Sequence, residues 1–106
     1  MPKYLIAASY SAEGLKGLQK DKASGRRAAV AKAVEGLGGK LEAFYYALGD
    51  HDVITIVDLP NTASATALAL AASGSGLVRT KTTALLTVEE TDQALGKKVE
   101  FTGPGR

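Results

Sequence analysis

The residues best equipped for chemistry sit together at Asp50-His51-Asp52. His51 is the only histidine in the chain, and imidazole is the side chain whose ordinary pKa lies nearest neutrality. A carboxylate beside it can fix its tautomer and raise its basicity, so His51 and Asp52 are the candidate acid/base pair. The plainer reading is structural: adjacent turn residues do not naturally point together, Asp52 bonds turn amides, and His51 is partly exposed. Tyr4, Tyr10, Tyr45 and Tyr46 carry hydroxyls that could line a pocket, although strand tyrosines commonly serve the core with their OH satisfied. Arg79 and Lys81 share one face of a strand-like run, where they could hold an anion or shield an edge from unwanted pairing. Arg26-Arg27 open a helix, against its dipole, which suits either an acidic partner or simple surface charge. A ligand pocket in such a chain would take its polar groups from Tyr10, Tyr46, His51, Asp52 and Arg79, because a few placed polar groups among apolar strands confer specificity.

Other chemistries find no residues to serve them. There is no cysteine, hence no thiolate nucleophile, disulfide or Cys-ligated metal. One histidine and scattered carboxylates give no spaced ligand set, so neither metal nor cofactor is expected. Gly74-Ser75-Gly76 lacks the Walker lysine and precedes a strand, so it is not a phosphate loop. The net charge is only +2, from 13 Lys and Arg against 11 Asp and Glu. The basic residues of Lys16–Arg27 are mixed with acids and have no aromatics between them, which argues against nucleic acid. No apolar run approaches a membrane span and no signal-type leader opens the chain, so a cytoplasmic location is expected.

The elements that must position these groups follow from periodicity. Lys3–Tyr10 reads as a strand apolar at nearly every position, hence central and covered on both faces. Ser11 can cap a short helix, Ala12–Gln19, which fails in the polar stretch Lys20–Ser24. A stronger helix runs from Ser24 to Leu37 along the line Arg27-Val30-Ala31-Val34-Leu37, stopped by Gly38-Gly39. Lys40–Leu48 and Val53–Leu59 form a hairpin around a loop of two residues, Gly49-Asp50, or four, Gly49–Asp52, where glycine would supply the positive φ of a tight turn. Pro60-Asn61-Thr62 caps a helix over Thr62–Ser73, and a final strand covers Leu77–Glu89. Residues 91–106 form an extension, weakly helical and then a loose tail, after a domain spanning 1–90.

The order is β-α-β-β-α-β, the split arrangement of ferredoxin-like α+β domains. Short right-handed connections then give a four-stranded antiparallel sheet with both helices on one face. Hairpin parity places Leu41, Ala43, Tyr45, Ala47, Ile54 and Ile56 on one face, and Phe44, Tyr46, Leu48, Val53, Val57 and Leu59 on the other. Both faces are apolar, yet the helices cover only one. A second subunit packing sheet to sheet is the expected cover, so the chain's partner is another copy of itself, a dimer that the Ala-rich Thr62–Ser73 helix could extend into larger rings.

The chain resembles the GYD-domain family of the dimeric α/β-barrel superfamily. The likeness lies in Gly38-Gly39-Lys40, Phe44-Tyr45-Tyr46-Ala47-Leu48-Gly49, Asp52–Asn61 and Gly74–Thr82, with the opening Tyr4–Ser11 strand. Gly49 and Asp52 match the residues that name the family, and His51 stands at what looks like the tyrosine position. The resemblance implies the barrel-forming dimer and no assigned reaction; relatives in the wider superfamily include monooxygenases, isomerases, haem enzymes and ligand-sensing domains. Three functions follow as expectations. The first is binding of a small apolar or aromatic metabolite in a barrel interior. The second is a cofactor-free monooxygenase or isomerase using His51 with Asp52 or a strand tyrosine. The third is a purely structural assembly role.

Overall fold

The computed structural model describes residues 1–106. Along the chain it forms β1 (Lys3–Tyr10), α1 (Ala12–Gly36), β2 (Lys40–Tyr46), β3 (Val53–Asp58), α2 (Thr62–Gly74), β4 (Val78–Leu85) and α3 (Val88–Leu95). Local chemistry sets most of these boundaries. The Ser11 hydroxyl accepts the Gly14 amide at 3.1 Å and starts α1; the Asn61 side chain accepts the Ser64 amide at 2.9 Å and starts α2. Such caps satisfy N–H groups that have no partner within the helix. At the end of α1, Gly38 takes a φ of 82°, while Gly39 and Gly38 donate to the carbonyls of Val34 and Glu35. This closing pattern needs a left-handed residue, which glycine adopts without steric cost.

The four strands form one antiparallel sheet in the order β2-β3-β1-β4. The nearly continuous apolar β1 is central, and the charged β4 lies at an edge. Both α1 and α2 pack on the same sheet face, where Tyr4, Ile6, Val34, Val57, Leu59 and Ala65 form the buried core with Val30, Leu37, Leu41 and Leu68 against it. Thr55 is the one buried polar residue of this face, and its hydroxyl donates to the Ile6 carbonyl at 3.1 Å.

Three details depart from the expectations. A β-bulge between Leu41 and Ala43 shifts the β2–β3 register, so Leu41 pairs with Val57 and joins the helix-side core rather than the open face. The extra residue turns Glu42 to the open face, where the Lys3 ammonium bridges it at 2.7 Å and Asp58 at 2.8 Å. The hairpin keeps the pairing that a Gly49-Asp50 turn would impose, Tyr46 opposite Val53, but the ladder stops there. Ala47 donates to the Asp52 carbonyl to close a wider loop, and Gly49 is not among the glycines with positive φ. The cause is Asp52, whose own amide donates sideways to the Ala8 carbonyl at 2.8 Å.

The third departure is at the end of the chain. The last strand stops at Leu85, and α3 begins at a capping box in which Thr87 and Glu90 exchange side-chain-to-backbone bonds of 3.0 Å each. This helix stands off the core, with Val88 74% and Leu95 78% exposed. The projecting segment lengthens the molecule to 55 × 33 × 24 Å, with a radius of gyration of 16.8 Å, against about 13 Å for a compact chain of this size. No helix is long and apolar enough to cross a membrane.

Candidate functional site

Between the helix-side face of the sheet and the pair α1 and α2 lies a cavity of about 360 Å³. It exists because the facing helix positions are small: Gly14, Gly17, Ala29 and Ala33 on α1, and Ala71 and Ala72 on α2. A recess of about 100 Å³ runs deeper toward Phe44, Val53 and Thr55 of the sheet. The space is of the size that small-molecule pockets occupy. Its floor is locked at the end of β1, since a Cβ at Gly14 would drive into the carbonyl oxygen of Leu77. That same oxygen accepts the Ser11 amide at 2.9 Å.

Polar groups gather at one end. Tyr10 and Arg26 line both the outer cavity and the recess, and Asp21 lines the outer one. Arg26 meets Asp21 at 3.6 Å. Tyr46 stands nearby, edge-on to Phe44 with ring centroids 5.4 Å apart, and its hydroxyl donates to the Ala23 carbonyl at 3.4 Å. Partial desolvation, then the neighbouring Tyr10 phenol, push its pKa up to about 12 against a weaker opposing pull from Arg26. The phenol is therefore a proton donor at physiological pH.

The wall carrying Asp21 and Arg26 is broken between them. Lys22 has φ 68° and ψ 164°, a conformation that glycine tolerates and other residues reach only under strain. It divides α1 into two helical pieces, matching the polar Lys20–Ser24 interruption in the helical pattern. Tyr46 grips the first carbonyl after the break.

A family model described as the GYD domain matches residues 4–95, nearly the whole of the chain. The chain belongs to the GYD-domain family. No curated protein and no solved structure matches it at a significant level.

The candidate residues of this GYD domain fall into two neighbourhoods. Tyr10 and Tyr46 lie on the helix side, with Arg26. Arg79 lies opposite Ser9 across the β1–β4 ladder, on the open side of the sheet, and the Ser9 hydroxyl is 3.3 Å from His51 Nδ1. Asp52 belongs to neither: its Oδ2 accepts the Tyr10 amide at 2.8 Å, tying the hairpin to the end of β1. His51 and Asp52 do not line the cavity. Arg26 is the residue the helical line misassigned. The line's Val30, Ala31, Val34 and Leu37 do turn toward the core, but Arg27 is exposed and Arg26 is the half-buried arginine at its start. Arginine at either of two neighbouring positions gives no hydropathy contrast to choose between them. No group of three His, Cys, Asp or Glu side chains comes together as a metal site.

Proposed function

We propose that this GYD domain is a binding module for a small apolar or aromatic metabolite, held between sheet and helices, in an assembly of identical subunits. The observation that carries the reading is the cavity itself: mostly apolar walls with Tyr10 and Arg26 at one end, the composition typical of small-molecule sites. The alternative of a cofactor-free monooxygenase or isomerase would use His51 with Asp52 or a strand tyrosine; His51 sits beside Ser9, neither it nor Asp52 lines the cavity, and Tyr10 alone is left there without an acid/base partner pair. That geometry favours binding over catalysis.

The assembly reading rests on the open sheet face. The strand order, with α1 and α2 sharing a face, supports the ferredoxin-like arrangement, which leaves the other face without cover. Leu5, Ala7, Ala43, Ile54 and Ile56 occupy that face, flanked by Tyr45 at 69% exposure. A second copy stacking sheet on sheet, the dimeric α/β barrel, would bury it. The segment after β4 adds Leu86, Val88, Leu95, Val99 and Phe101, all exposed, as further surface for a neighbouring subunit. Native mass spectrometry of the purified protein tests both parts, since it reports subunit count and any retained ligand together. The reading expects an even-numbered oligomer with added small-molecule mass; a bare monomer at micromolar concentration would contradict it.

A further inference from the structure

We propose that the ligand of this cavity is an organic acid, an aromatic or short aliphatic skeleton whose carboxylate is held by Arg26 with the Tyr10 phenol beside it. The inference rests on the cavity being the binding site and adds the chemical class of what enters it.

The geometry points to an anion for three reasons. First, Tyr10 and Arg26 are the polar side chains common to the outer cavity and the inner recess, the other shared walls being Val30, Leu68, Ala72 and Val78, so a molecule whose apolar part fills the recess finds the polar partners for its head group in these two. Second, Arg26 is under-used. Its acidic neighbour Asp21 stands 3.6 Å away, well beyond the roughly 2.7–2.9 Å of a strong charge-assisted hydrogen bond. A guanidinium offers five donors in a planar fork, and a carboxylate meets two of them at once. Third, the Tyr10 phenol lines both spaces together with Arg26 and can donate its hydroxyl proton to the same head group.

The side chain of Asp21 is 47% exposed and that of Arg26 34%, so the carboxylate of Asp21 can turn to water when a ligand displaces it. Asp21 then works as a selector. A neutral ligand leaves the loose Asp21–Arg26 pair in place and gains nothing from the guanidinium, whereas an acid replaces it with a shorter, two-bonded contact. A single guanidinium with no second cation at the cavity favours a singly charged carboxylate over a doubly charged phosphate.

The test is calorimetric titration with three matched pairs: benzoate and benzamide, naphthoate and naphthamide, octanoate and octanamide. The wild-type protein should bind at least one acid about tenfold or more tightly than its amide, the scale of a charge-assisted bond. Arg26→Gln should reduce the acid to the affinity of the amide and leave the amide unchanged, while Arg27→Gln, one residue away and exposed, should alter neither. Arg26→Lys, which keeps the charge without the fork, should retain part of the preference and serves if Arg26→Gln fails to fold. Equal binding of acid and amide, or a preference that survives Arg26→Gln and Arg26→Lys intact, would overturn the carboxylate assignment and leave the cavity as the site of a neutral ligand. If no member of any pair binds, the binding reading of the cavity falls, and the assignment with it.

Discussion

Asp52 Oδ2 accepts the backbone amide of Tyr10 at 2.8 Å, so this hairpin residue holds the last residue of β1. The same aspartate donates its own amide to Ala8 at 2.8 Å. Together the two bonds fix the backbone from which the Tyr10 side chain enters the cavity. Asp52→Ala should cost about 1.5–3 kcal/mol, the usual loss for a hydrogen bond to a charged group, and should loosen Tyr10. Chemical denaturation measures the first effect. Amide exchange at Tyr10 measures the second, and protection there should fall more than at Leu5 in the same strand.

Lys22 carries strain that glycine would not. Its φ of 68° with ψ of 164° costs an ordinary residue about 1–3 kcal/mol, partly offset in any glycine variant by about 1 kcal/mol of extra unfolded-chain entropy. Lys22→Gly should therefore stabilise the domain by up to about 2 kcal/mol, with Tm rising about 4–8 °C for each kcal/mol in a domain of this size. Lys22→Val should do the reverse, because a β-branched residue tolerates positive φ least. Thermal unfolding of the two variants against wild type checks the order.

Alkaline conditions should destabilise the fold through two identifiable groups. Asp58 and then Glu42 raise the Lys3 pKa above 10.5, so the folded protein holds a proton that the unfolded chain releases; the benefit is complete below about pH 10.5 and is lost as pH rises through the folded value. Tyr46 acts in the same direction, with a folded pKa of about 12 against 10.0 unfolded. Stability should decline from about pH 10 upward. Lys3→Met and Tyr46→Phe should each flatten that decline, and ultraviolet titration of the phenols should show one tyrosine ionising later than the rest.

Much of this was readable from residue order because it depends on local chemistry. Lys3–Tyr10 announces a central strand by its unbroken apolar run, Ser11 and Asn61 are caps, and Gly38-Gly39 ends a helix by the one backbone conformation it favours. The break in α1 showed as a polar gap. What stayed hidden depends on contacts between distant residues. Glu42 at the bulge pairs across the sheet with Lys3, which also holds Asp58, and the bulge reverses the face of Leu41 in a way that hairpin parity cannot reveal. The Thr87–Glu90 capping box was present as a Thr-x-x-Glu spacing, but alternating threonines extended the strand pattern across it. The site suffered most from direction. Tyr10 and Tyr46 point to the helix side while Arg79 lies on the other, and Arg26 was obscured by its neighbour Arg27.

Alanine methyl groups provide the most direct test that the ligand sits between sheet and helices. Ala29, Ala33, Ala71 and Ala72 line the cavity, whereas Ala7 and Ala43 lie in the strands on the open face. Methyl NMR spectra recorded during titration with naphthoate or octanoate should show saturable shifts at the four cavity alanines and little change at Ala7 and Ala43. Shifts confined to Ala7 and Ala43, with the cavity methyls still, would contradict the account and move the binding site to the open sheet face.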